Sequence, residues 1–183
     1  MEEELARIAA FVDAYCESSL ARRIAALPGV RAERPFAFEH DGVLLHGRLD
    51  ALWLQRDRAL VLDYKTNQLG EREPAEVVEE EYRLQRLVYA LACLRAGVDE
   101  VEVVYQFLER PEDVVSATFG RDDALALEVE LSEAFARISE GDFRPTPSAF
   151  ACAGCPALDV VCAGPRLGGG GDRPPADSLA AVG

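Results

Sequence analysis

A pair of adjoining strands, each carrying one aspartate at a matching position, restricts this chain more than any other feature. Asp41-Gly42 is a dipeptide favoured in type I′ hairpin turns, and it separates a short strand, Pro35 to Phe38, from a long alternating run, Val43 to Leu54. A four-residue turn, Gln55 to Arg58, then leads into a second strand, Ala59 to Lys65. Side chains alternate with period two. Val43, Leu45, Leu49 and Trp53 therefore share one face of the first strand, and His46, Arg48 and Asp50 the other. In the second strand Leu60, Leu62 and Tyr64 oppose Val61, Asp63 and Lys65.

With Leu54 opposite Ala59, the register sets Asp50 across from Asp63 and Arg48 across from Lys65. Directly opposed residues stand with Cβ atoms about 4.5–5.5 Å apart, where like charges repel. Two aspartates so placed need a cation between them or a raised pKa, and a hard divalent ion such as Mg²⁺ favours oxygen donors. Lys65, two residues along on the same face, could orient an attacking water or steady a phosphate. Taken singly, Asp50 reads as a strand-end residue and Asp63 with Lys65 as a surface pair. Taken together they favour the metal site, provided the register does not slip by one.

The rest of the chain supplies helices around these strands. Leu5, Ile8, Val12, Tyr15, Cys16 and Leu20 recur at helical spacing and predict one amphipathic helix over 3–26, ended by Pro28-Gly29. A second helix begins near Pro74, a residue suited to a first helical turn, and stops at Gly97. Strands follow over Val101–Glu109 and Val114–Phe119, and a third helix runs from an Asp122 or Asp123 cap to about Glu140. The expected fold class is α/β, a central mixed sheet flanked by helices. The expected division is an N-terminal helix over 1–29, a core with a C-terminal cysteine loop over 30–165, and a disordered Gly/Pro-rich tail over 166–183.

A formal net charge of −14 opposes autonomous nucleic-acid binding, because phosphate contacts need clustered Lys and Arg. It opposes a nuclease only weakly, since metal-binding carboxylates are themselves anionic. No apolar run has the length of a membrane span and the N-terminus lacks a signal peptide's cationic start, so a cytoplasmic protein with no membrane partner is expected. Five cysteines, an odd number, disfavour a disulfide framework.

Gly47-Arg48-Leu49-Asp50, twelve residues, Asp63-Tyr64-Lys65-Thr66 and then Tyr82-x2-Gln85-x3-Tyr89 resemble, in this order, the PD-(D/E)XK nuclease superfamily in its RecB/AddAB-like branch. The resemblance spans about Val30 to Cys162. It implies a restriction-endonuclease-like core and a Mg²⁺- or Mn²⁺-dependent phosphodiesterase that cuts DNA, as exonuclease or endonuclease. It further implies single strands fed by a UvrD/RecB-like helicase domain or subunit in double-strand-break repair and recombination. Asp50 and Asp63 correspond to the acidic metal ligands, with the Tyr64 carbonyl beside them; Lys65 corresponds to the catalytic lysine and Glu33 to a supporting glutamate. Gln85 and Tyr89, with Tyr82, correspond to the helix motif that touches DNA.

The residues themselves agree in part: Tyr82, Gln85 and Tyr89 share a helical stripe beside a core stripe of Leu84, Leu87, Leu91 and Leu94. Core packing explains the tyrosines about as well as function does, but not Gln85. Glu79-Glu80-Glu81 reads as a solvated face. Relatives of this branch carry a histidine on an upstream helix. His40 and His46 do not occupy such a place, so either the chain starts downstream of that histidine or the site works without it.

Cys152-x2-Cys155-x6-Cys162 resembles the cysteine trio that holds a 4Fe–4S cluster in AddB-type nucleases; zinc is the other metal such thiolates suit. The fourth ligand is not evident, because Cys16 and Cys93 both read as packing residues. Two other readings stay open. One is a nuclease-fold fragment, catalytically impaired, that binds DNA or partners; the other is a cysteine–metal interaction module.

Overall fold

The computed structural model describes residues 2–141, Cys152 and residues 155–157. Cys162 and the 166–183 tail lie outside the described residues. The chain divides into two units, Met1–Glu140 and Gly141–Gly183, and the first carries the fold. Its elements are α1 (Glu2–Glu17), α2 (Ser19–Ala25), β1 (Arg31–His40), β2 (Val43–Gln55), β3 (Arg58–Lys65), α3 (Pro74–Val77), a π-helical turn (Val78–Tyr82), α4 (Arg83–Arg95), β4 (Glu100–Phe107), β5 (Val115–Gly120) and α5 (Ala124–Ser139).

The five strands form one sheet in sequence order, antiparallel except for the parallel β3–β4 pair. A parallel pair requires a crossover, and the α3–α4 segment supplies it across one face of the sheet. Leu87, Ala90 and Leu91 of α4 and Leu127 and Leu131 of α5 pack there on Val61, Val103, Tyr105 and Phe107. On the other face Leu20 and Ile24 of α2 cover Ala51, Leu60, Leu62 and Val104. The architecture is the expected α/β sandwich of a mixed sheet between helices.

The Asp41-Gly42 turn forms as its residues demand, with φ of 49° and 74° and His40 paired to Val43. The next turn is tighter than expected. Gln55 pairs with Arg58, so only Arg56 and Asp57 lie outside the ladder, and Arg56 takes a φ of 53°. The register is unchanged by this, because Leu54 still faces Ala59.

Three helical expectations need correction. The N-terminal helix is broken at Ser18, whose extended backbone lets its hydroxyl accept the Ala21 N–H and start α2 afresh. Of the stripe assigned to that helix, Leu20 is buried, whereas Leu5, Ile8 and Val12 are 62%, 50% and 52% exposed and Cys16 is exposed as well. Leu84, at the start of α4, is exposed too, while Leu87 and Leu91 of the same stripe are buried. Cys93 is buried, as expected, and burial pushes its thiol up to about 11.

Candidate active site

Asp50 stands where β2 changes face. Leu45 and Leu49 pack on the α4 side, yet Ala51 and Trp53 pack on the α2 side and Leu52 on the α4 side. The strict alternation that placed Leu49 with Trp53 therefore fails at Asp50. The cause is local. Glu33, opposite Asp50 in the β1–β2 register, has a φ of 54° and drops out of the ladder, and the β2–β3 pairing ends at Ala51–Leu62. In place of backbone pairing, Asp50 Oδ2 accepts the Tyr64 N–H at 2.9 Å. Burial raises the Asp50 pKa most, against that hydrogen bond, and the charges of Asp63 and Glu33 raise it further.

Asp63 lies on β3 in a nearly closed environment, 3% exposed. The Tyr89 hydroxyl donates to its Oδ1 at 3.0 Å, and Gln85 Nε2 donates to that same hydroxyl at 3.0 Å. Gln85 Oε1 in turn accepts from Lys65 Nζ at 2.9 Å, and Lys65 Nζ stands 2.7 Å from Asp63 Oδ2. The four side chains thus form a closed ring, two from β3 and two from successive turns of α4. The Lys65–Asp63 contact is an ion pair outside hydrogen-bond angles, so Asp63 Oδ2 is buried with no hydrogen-bond donor. The Lys65 ammonium meets its charge, and the oxygen donors nearby, Asp50, Asp63 and the Tyr64 carbonyl, are of the chemistry that suits a hard divalent ion.

Aromatic rings hold the lysine from the other side. Lys65 Nζ lies 3.8 Å from the Tyr82 ring centre and 5.3 Å from that of Tyr105, and those two rings stack at 5.8 Å. The Tyr105 hydroxyl donates to Gln85 Oε1 and the Tyr82 carbonyl, both at 3.4 Å. Burial raises the phenol pKa of Tyr64, Tyr89 and Tyr105, and takes Tyr82 to about 12, so all four are neutral donors near pH 7. Tyr105 is a site residue the sequence reading missed. It pairs with Asp63 across the parallel β3–β4 register, and only knowledge of that pairing would have flagged it.

The remaining expected residues fall at the margin or elsewhere. Glu33 is exposed and ion-paired with Arg48 at 3.1 Å; its charge reaches Asp50, but its carboxylate does not join the ring. Tyr64 points to the α2 side, where its hydroxyl donates to that of Tyr15 at 2.7 Å, leaving only its backbone at the site. His46 is exposed on β2. His40 is buried away from the acids, with Nε2 2.9 Å from Ser132 Oγ and Nδ1 2.9 Å from Arg95. Among the described residues no group of three His, Cys, Asp or Glu side chains is arranged to hold a metal. In the second unit the Cys155 N–H donates to the Cys152 carbonyl at 3.2 Å, a short turn between two free, half-buried cysteines.

Two of the similar solved structures are the crystal structure of SSO0001 and a protein from Eubacterium rectale assigned as an exonuclease. The first is 17% identical with a TM-score of 0.45, over 78% of this chain and 64% of that one. The second is 13% identical with a TM-score of 0.39, over 67% of this chain and 49% of that one. The chain therefore spans less than two thirds of either. No curated protein matches it. The family model of the PD-(D/E)XK nuclease superfamily matches residues 2–162, a stretch containing both acidic strands, Lys65 and the α4 motif. The sheet between helices agrees with that match, and the chain belongs to the PD-(D/E)XK nuclease superfamily.

Proposed function

We propose that this chain is a divalent-metal-dependent DNA nuclease domain whose reacting groups are Asp50, Asp63 and Lys65. The observation that carries the reading is the ring Asp63–Tyr89–Gln85–Lys65, which gathers a buried carboxylate and a lysine, together with Asp50 braced on Tyr64 N–H. Asp50, Asp63 and the Tyr64 carbonyl would hold Mg²⁺ or Mn²⁺. When bound, the ion supplies an activated water and neutralises charge on the scissile phosphate.

The chain's own groups do the rest. Gln85 fixes the Lys65 ammonium by its side-chain carbonyl, and the Tyr82 ring keeps the lysine stem from folding away. With a divalent ion held by Asp63, Lys65 would be free of its ion pair, and its ammonium could contact a phosphate oxygen or the attacking water. Tyr89 holds Asp63 in one rotamer throughout. Glu33 lends supporting negative charge at the rim, through Asp50.

On this reading single-stranded DNA is the substrate, and a helicase domain or subunit delivers it for double-strand-break repair. The net charge of −14 supports a need for delivery, because it repels DNA at long range. Incubation with single-stranded DNA and Mg²⁺ or Mn²⁺ should give metal-dependent cleavage that Asp63→Ala and Lys65→Ala each abolish. Cleavage that survives both substitutions would remove the assignment.

The cysteine trio carries a second, separate reading. The two-residue spacing of Cys152 and Cys155 is one that zinc and cluster sites use, and a backbone hydrogen bond from the Cys155 N–H to the Cys152 carbonyl is compatible with it. Cys162 would be the third ligand of a 4Fe–4S cluster or zinc ion. Anaerobically purified protein should then contain iron or zinc that the triple Cys→Ser variant lacks.

A further inference from the structure

The first residue of the Gly-Arg-Leu-Asp segment has no backbone reason to be glycine, since Gly47 is not in the left-handed region. Its reason is contact. Gly47 pairs directly with Phe36 across β1–β2, and a Cβ built on it would lie 2.8 Å from both Cε1 and Cζ of the Phe36 ring. The ring is therefore folded flat over the position a side chain would fill. From there it presents itself to Tyr89 edge to face, at 5.9 Å and 85°, with Phe38 stacked behind it at 6.3 Å. Tyr89 is the residue whose hydroxyl holds Asp63 Oδ1.

We propose that Gly47 and Phe36 are positioning residues: the absent side chain at 47 seats the Phe36 ring, and the ring sets the angle at which Tyr89 grips Asp63. This rests on the nuclease reading for its consequence, though its geometry stands without it. A methyl group at 47 cannot be accommodated while the ring stays. The close contact is with the far end of a rotatable side chain, so the ring can swing aside without moving the backbone. Gly47→Ala should therefore displace Phe36 outward and leave the fold intact. Tyr89 then loses its edge contact and its fixed rotamer, and Asp63 loses a fixed orientation. Partners that orient a metal ligand typically affect metal affinity about 10–100-fold.

The test uses the full chain with ¹³C-labelled tyrosine, in chelator, with the Tyr89 ring signals identified from Tyr89→Phe. Gly47→Ala and Phe36→Leu should each shift those signals while the melting transition stays cooperative. In parallel, Mn²⁺ affinity measured by calorimetry should fall about 10-fold in Gly47→Ala. It should fall comparably in Phe36→Leu, and Gly47→Ala/Phe36→Leu should cost no more than Phe36→Leu alone, because the ring is already gone. In a Tyr89→Phe background Gly47→Ala should cost no further affinity. Tyr89 signals that ignore both substitutions, or an equal cost with and without the Tyr89 hydroxyl, would overturn the proposal. Shifted Tyr89 signals in a chain that binds no Mn²⁺ would uphold the positioning and remove the metal reading instead.

Discussion

α1 and α4 carry the same kind of periodic apolar stripe, and they end in opposite situations. In α4 the stripe is buried: Leu87, Ala90 and Leu91 sit in the main core, and Tyr89 reaches Asp63 from the same surface. In α1 the stripe faces outward at Leu5, Ile8 and Val12. Connectivity explains the difference. α4 belongs to the crossover between two parallel strands, so it must lie on the sheet. Among the described residues, α1 meets the sheet at the Tyr15–Tyr64 hydroxyl contact and runs through Ser18 into α2. Periodicity therefore announces that a helix has an apolar face, and topology decides whether the chain itself covers it.

The largest effect expected from this contrast is on stability. Leu91 is fully buried, so Leu91→Ala should cost about 2–5 kcal/mol through lost burial and a residual cavity, read from denaturant unfolding. Ile8→Ser, on the exposed stripe, serves as the control for the other helix. A Leu91 variant as stable as the wild type would break the contrast at its stronger end.

The next effect is functional and also belongs to α4. Gln85 links Lys65 to Tyr89, so Gln85→Ala should reduce cleavage about 10–100-fold, as loss of an orienting partner does, with little change in melting temperature. Rates that stay unchanged would make Gln85 a packing residue.

These residues also show how far the sequence could be read. Register arithmetic gave the β2–β3 alignment, because hairpin pairing is local and the turn length did not alter it, but the ladder stops at Ala51–Leu62 and reaches neither the expected Asp50–Asp63 pair nor Arg48–Lys65. It missed the face change at Asp50, which depends on Glu33 leaving the ladder from a different strand. The helical spacing grouped Tyr82, Gln85 and Tyr89 correctly. It could not foresee the π-helical turn ending at Tyr82, nor that Tyr105 from β4 would complete the aromatic wall beside Lys65. Of these misses, Tyr105 is the long-range one, since β4 is separated from β3 by the whole crossover.

A smaller effect concerns Asp50, whose pKa is raised chiefly by burial. The folded chain then binds that proton more tightly than the unfolded chain. The group's stabilising contribution is present below the ordinary aspartate pKa of about 3.9 and is lost as pH rises through the raised value. Asp50→Asn keeps an acceptor for the Tyr64 N–H and removes the charge. In chelator it should melt slightly above the wild type at pH 7, with the gap closing toward pH 4, a range set by that ordinary value. A variant that melts lower at pH 7 would show that the carboxylate is not under strain.

The smallest effect is expected on α1. Ile8→Ser and Val12→Ser should change stability by about 0.5 kcal/mol or less, the usual range for exposed sites. A loss comparable to that of Leu91→Ala would mean that the stripe is covered after all.

The account's central claim is that Asp63 holds a metal and Lys65 acts on the substrate. Mn²⁺ titration by calorimetry, run beside single-stranded DNA cleavage for the wild type, Asp63→Ala and Lys65→Ala, tests it most directly. The account predicts that Asp63→Ala loses both metal binding and cleavage, whereas Lys65→Ala binds Mn²⁺ at least as tightly as the wild type and does not cut. Metal affinity untouched by Asp63→Ala, or cleavage retained by Lys65→Ala, would contradict it.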